Sequence, residues 1–233
     1  MHDVEQRVEP PLFQKSAQAS GFLIDDMRYK CYDSCDRRIA FNMNVRLTSL
    51  REQSNRFLQN EILLLALLGG LQRSKIYRED ATTIQRGKVR QHIMGELRKL
   101  NTIYKNSIPE ERHIKRIVEF AKKVSDQFPD VLDKRRLRIG ISQKLINLYL
   151  KYLWTLGWIE EPPHCPFDSI IINELRRRSG KQVRASIGQI RFTQMDSAEE
   201  YRKLVEAAKF VAEREGYNSI AAWELYTFER RRI

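Results

Sequence analysis

Lys144 and Asp168 are the two residues of this chain whose types and placement lend themselves to chemistry. The lysine opens a strongly apolar helical run. The aspartate follows a proline-rich loop and begins the next helix, in Pro166-Phe167-Asp168. A lysine anchored to rigid structure can bind an anion, or attack an electrophilic carbon once its amine is neutral. A carboxylate at a helix start can cap that helix, and it can also take up a proton or offset positive charge nearby. Judged alone, capping is the commoner role for an aspartate after proline, and phosphate binding the commoner role for an isolated lysine.

The elements that must place these two groups occupy residues 138–170. Arg138-Ile139-Gly140-Ile141-Ser142-Gln143-Lys144 reads as a tight turn, with Gly140 supplying a positive φ. Leu145, Leu148, Tyr149, Tyr152, Leu153 and Leu156 then repeat at helical spacing, and Ile146 and Leu150 fill the opposite side. A helix apolar all round is a buried helix. Lys144 lies in its first turn by this reading. Gly157 and the prolines at 162, 163 and 166 reverse the chain, and a second helix starts at Asp168.

The pattern apolar-Gly-apolar-small-any-Lys at Ile139 to Lys144, followed by a long apolar helix and Pro-apolar-Asp at 166–168, resembles the helix-hairpin-helix DNA glycosylase superfamily. Gly140 falls where that family has its first hairpin glycine, Lys144 where bifunctional members have their lysine, and Asp168 where the family has its aspartate. Arg138 and Ile139 replace Leu-Pro, and Ser142 replaces the second glycine. The loop before Asp168 is long, as in the archaeal 8-oxoguanine glycosylase branch. About 35 residues carry the resemblance.

The resemblance implies an enzyme that everts a modified base from double-stranded DNA and breaks its bond to the sugar. In a bifunctional member Lys144 would be the nucleophile, forming a Schiff base at C1′ before β-elimination, and Asp168 would stabilise the positive sugar or deprotonate the nucleophile; in a monofunctional one Asp168 would activate water and Lys144 would bind a phosphate. The setting would be base-excision repair or defence against phage with modified DNA. Gly140 and Ser142 of the hairpin, preceded by Lys134, Arg135, Arg136 and Arg138, would hold a phosphate, because backbone N–H groups at a helix start favour an anion. Arg177 and Lys181, in a basic loop expected to be flexible, would track the DNA backbone. Trp154, Trp158, Phe192, Trp223 and Tyr226 are candidates to stack on the everted base, with Gln194 or Glu224 reading its edge and His164 lining the cleft. Two rival readings stay open: a non-catalytic DNA-binding module, and a basic helical adaptor for an acidic protein.

Composition agrees with a polyanionic partner. The net charge is +12, and between Lys134 and Arg191 twelve Lys/Arg face four Asp/Glu, a surplus of eight. The longest apolar stretch, Ile62 to Leu68, is too short to cross a bilayer. Three sparse cysteines and the lack of a secretion signal suggest a reducing, cytoplasmic setting, and a monomer without cofactor is expected. Cys31 and Cys35, with His164 and Cys165, do not make a metal-ligand pattern, and the four clustered cysteines of an iron–sulfur loop are absent.

Helical periodicity recurs along the rest of the chain and no strand-rich region appears, so an all-α protein is predicted, with two helical subdomains around a cleft. The expected divisions are an irregular arm at 1–36, a helical subdomain at 37–130, the hairpin and catalytic segment at 131–195, and closing helices at 196–233. Gly69-Gly70 should end the first helix. Ser107 to Glu110 should form a capping box, Asp196 with Glu199 should start a late helix, and Asn218 or Ser219 should cap a last helix reaching Arg231. Residues 182–193 read as loop or short strand.

Overall fold

A computed structural model of the chain describes residues 36–72 and 74–228, with side chains from residue 48 onward. Of the arm expected at 1–36, residues 1–35, with Cys31 and Cys35, lie outside the described residues, and Asp36 opens the first helix. The chain divides into two compact units, Met1–Ser54 and Asn55–Ile233, and the cavities and side-chain contacts described below belong to the second.

Among the described residues the secondary structure is all α: α1 (Asp36–Leu71), α2 (Thr83–Ile103), α3 (Glu110–Gln127), α4 (Ile139–Thr155), α5 (Ser169–Arg178), α6 (Lys181–Ile187), α7 (Ala198–Arg214) and α8 (Ile220–Thr227). A 3-10 turn at Asp133–Arg135 precedes α4, and a single antiparallel bridge joins Tyr77 to Leu132. No helix among the described residues is long and apolar enough to cross a membrane.

α4 is the axis of the second unit, packed against α2, α3 and α7. Every residue from Ile139 to Asn147 is buried, and so are Tyr149, Leu150 and Leu153. That matches the apolar run in the sequence, and each large aliphatic side chain so enclosed stabilises the fold by about 1.5–3 kcal/mol. α2 starts on a reciprocal capping box between Thr82 and Gln85, and buries Val89, Ile93, Leu97 and Leu100 on one stripe.

Several local expectations are corrected. Gly69 and Gly70 do not end α1, which runs on to Leu71. They lie against α4, where an added Cβ would come within 2.3 Å of Leu148 Cδ2 and 2.5 Å of Leu145 Cδ2. Their smallness serves close packing rather than helix termination. Pro109, not Ser107, is the N-cap of α3, and it makes no side-chain cap bond. Glu110 instead meets Lys209 at 2.8 Å. α7 is capped one residue later than predicted, by Ser197 with Glu200. Ser219 caps α8, which ends at Thr227.

The basic loop is not loose. Arg176, Arg177 and Arg178 form the last turn of α5, and α6 begins at Lys181, where loop or strand was expected. Arg176 donates to the carbonyls of Gly188 and Ile190, and Arg178 joins Glu174 to Glu215. Backbone carbonyls and carboxylates supplied by later segments turn a charge run into a brace.

Candidate active site

Gly140 sits in the first turn of α4 with ordinary helical backbone, so the expected positive φ does not occur. Its role is close approach. A Cβ there would lie 1.8 Å from the carbonyl oxygen of Phe192, and the Gly140 N–H donates to the Met195 carbonyl at 2.9 Å. Ser142 is fully buried, its N–H and hydroxyl both donating to the Arg138 carbonyl. The backbone of this turn is therefore engaged within the chain. Because α4 begins at Ile139, Lys144 lies in its second turn rather than its first.

Side chains flanking Lys144 on α4 fix the segment that ends at Asp168. The Gln143 amide donates to the Phe167 carbonyl at 2.7 Å and to the Gly140 carbonyl at 3.0 Å, and accepts from the Phe167 N–H at 3.1 Å. Asn147 donates to the Cys165 carbonyl at 2.9 Å and to the Tyr201 hydroxyl at 3.0 Å. Tyr201 donates in turn to His164 Nδ1 at 2.7 Å. His113 donates from Nε2 to Asn147 Oδ1 at 2.8 Å and accepts the Tyr104 hydroxyl at Nδ1, 2.6 Å away. This buried network spans α3, α4, α7 and the loop, and it sets the distance between the residues before Asp168 and those around Lys144.

Burial holds both histidines neutral. His113 lies well below the ordinary histidine range, and His164 is pushed down to about 3, chiefly by desolvation and further by Lys209 and Arg202. A histidine whose folded pKa is depressed gives stability that is present above its unfolded pKa of about 6.5 and lost as pH falls from there toward the folded value. For His164 the loss at pH 5 is about 2 kcal/mol. His113 acts in the same direction. Denaturant midpoints measured from pH 8 to pH 4 should therefore fall steeply below about 6.5, and His164→Gln should flatten the curve. Burial also raises the Cys165 thiol far above its usual range, which leaves it an inert core group.

The Asp168 carboxylate divides its two oxygens between two tasks. Oδ1 accepts from the N–H groups of Ile170 and Ile171 at 2.9 and 3.1 Å, capping α5. Oδ2 faces Lys144 Nζ at 3.8 Å. Capping and chemistry are thus compatible. Lys144 also lies over the ring of Phe192, 4.5 Å from its centroid. The lysine and aspartate side chains are 10% and 16% exposed, enclosed yet reachable.

That reach is into one cavity of about 420 Å³, walled by Lys144, Asp168, Lys151, Glu224, Tyr152 and Phe228 among others. Sequence reading had singled out Lys144 and Asp168 from this set, and Glu224 as a reader of base edges. Lys151, Tyr152 and Phe228 were missed. Lys151 carried a usable signal, since it falls seven residues after Lys144, two turns along the same face of a helix.

The remaining candidates scatter. Phe192 is buried beside Lys144 and also lines a neighbouring hollow with Arg176. Trp223 is wholly buried, donating to Glu215, and Trp154 packs against the core. Trp158 borders a separate hollow with Asn101. His164 is sealed in the polar network. The aromatic residues that line the cavity are Tyr152 and Phe228, not tryptophans.

Lys134, Arg136, Arg138 and Gln194 share another hollow, of about 450 Å³. Lys134 and Arg135 both hold positive φ, 51° and 61°, a conformation rare for side chains of this size. Arg135 meets Asp130 at 3.0 Å, and Arg136 pairs with Asp196. Arg138 binds Asp133 and the carbonyls of Lys75 and Thr193, so its guanidinium is a structural strut. Arg177 is 65% exposed beside Glu174, and Lys181 is exposed. Among the described residues no group of three or more His, Cys, Asp or Glu side chains forms a metal site.

No family model matches the sequence, and neither a curated protein nor a solved structure matches it.

Proposed function

We propose that the chain is a DNA glycosylase of helix-hairpin-helix type, with lyase activity, acting on a modified base everted from duplex DNA. The observation that carries this reading is the placement of Lys144 Nζ 3.8 Å from Asp168 Oδ2 on the wall of one cavity. About 420 Å³ falls within the range of about 300–1,000 Å³ typical of small-ligand sites, enough for a nucleotide taken out of the stack. The exposed Lys134, in the turn before α4, supports the same reading as a cation near the start of the cavity's lysine helix.

In this mechanism the neutral Lys144 amine attacks C1′, and the bond to the base breaks with its electron pair leaving on the base. Asp168 Oδ2 offsets the oxocarbenium charge and takes the proton that the attacking amine gives up. The sugar ring opens to an imine on Lys144, and β-elimination then cleaves the strand on the 3′ side. The Phe192 ring and the low exposure of the pair keep water from competing.

Borohydride reduces such an imine to a stable amine, so incubation with duplexes carrying different modified bases should leave a covalent protein–DNA band. Lys144→Gln should abolish the band, and chromatography should show a released base. Absence of both band and released base across the panel would overturn the proposal, with DNA binding at low salt then marking a non-catalytic module.

A further inference from the structure

A second lysine–carboxylate pair lines the same cavity two turns along α4. Lys151 Nζ lies 2.9 Å from Glu224 Oε1 and 2.7 Å from Oε2, and 4.7 Å from the centroid of the Phe228 ring. The side chains are 13% and 2% exposed. Burial raises the Glu224 carboxyl above the usual carboxylate range, and Lys151 opposes that shift. As a tie between α8 and α4 such a pair is a weak source of stability, because desolving two charges offsets most of their attraction. Its place on the wall that also carries Lys144 and Asp168 suits it to a ligand instead.

We propose that Lys151 is the leaving-group residue of this site: its ammonium, fixed by Glu224 and the Phe228 ring, donates to a carbonyl oxygen of the everted base and stabilises the charge that the base gains as it departs. This rests on the glycosylase reading above. When the C1′–N bond breaks, a neutral base leaves as an anion delocalised onto its ring carbonyl and takes a proton from water afterwards. A donor set in place before the reaction stabilises such charge without reorganising. The same ammonium repels a base that is already a cation. The substrate class is therefore neutral, carbonyl-bearing bases, oxidised or deaminated, rather than cationic N-alkylated purines.

The test compares two kinds of duplex with the full chain. One set carries 8-oxoguanine, uracil or 5-hydroxyuracil; the other carries a preformed abasic site. The abasic duplex has no base to expel, so borohydride trapping on it reports Lys144, Asp168 and the fold alone. Lys151→Gln should slow single-turnover base release by about 10²–10³-fold, while abasic trapping stays within about twofold of the unaltered chain. Lys151→Arg should recover part of the loss. The double variant Lys151→Gln/Glu224→Gln, which leaves no unpaired buried charge, should repeat the pattern if the single variant misfolds. Equal loss on both duplexes, or undiminished base release, would overturn the proposal. Preference for 7-methylguanine would overturn its substrate class. If the unaltered chain traps neither kind of duplex and releases no base, the glycosylase reading itself falls.

Discussion

Asp168→Asn should stop base release while leaving the protein folded and its grip on DNA largely unchanged. Asparagine caps helices about as well as aspartate, and its oxygen can keep accepting from the N–H groups of Ile170 and Ile171. What disappears is the negative charge on the oxygen that faces Lys144. A charge aimed at a developing cation contributes about 10²–10³ in rate, or about 3–4 kcal/mol of barrier. Single-turnover release should fall by that factor, whereas thermal unfolding should register a change of no more than about 1 kcal/mol. Fluorescence anisotropy on a modified duplex should give a dissociation constant within a few-fold of the unaltered chain. Binding that weakens in step with turnover would mark Asp168 as structural only.

Gly140→Ala should be the most damaging single methyl group in the second unit. In a helix this change ordinarily stabilises by up to about 1 kcal/mol. Here the new Cβ would lie 1.8 Å from the Phe192 carbonyl oxygen and 2.8 Å from its carbon. Backbone atoms cannot rotate aside, and this segment is pinned by the Gly140 N–H on the Met195 carbonyl and by Arg138 on the Thr193 carbonyl. The sign reverses, to a net loss of about 3 kcal/mol, and Tm should drop by about 6–12 °C. The Phe192 ring would move with its backbone, taking its face off Lys144. A variant that melts at or above the original temperature would show that residues 192–195 yield freely.

These two residues illustrate how legible the site was. Gly140 stood out in the sequence, but for a turn conformation it does not adopt; its real constraint is a carbonyl contributed by Phe192 from far along the chain. Asp168 was legible as a cap, since capping acts over three residues, and as a partner for Lys144 only through resemblance. Lys151 carries no mark of function in the local sequence, where it is a single lysine within an apolar run. Its burial depends on Glu224, more than 70 residues on, closing over it from α8. Arg176, Arg177 and Arg178 read as loose charge because the Gly188 and Ile190 carbonyls and Glu215 that engage them come from elsewhere.

By itself the sequence determined the all-helical class among the described residues, the burial of α4, and the starts of α5 and α8, because periodicity and capping operate within a turn or two of the chain. Only the tertiary structure decided that Lys144, Asp168, Lys151 and Glu224 share one cavity, and that Gln143 and Asn147 hold its two sides in register. Those relations join α4 to the 165–168 segment and to α8, and distances between separate segments are set by packing rather than by the local order of residues.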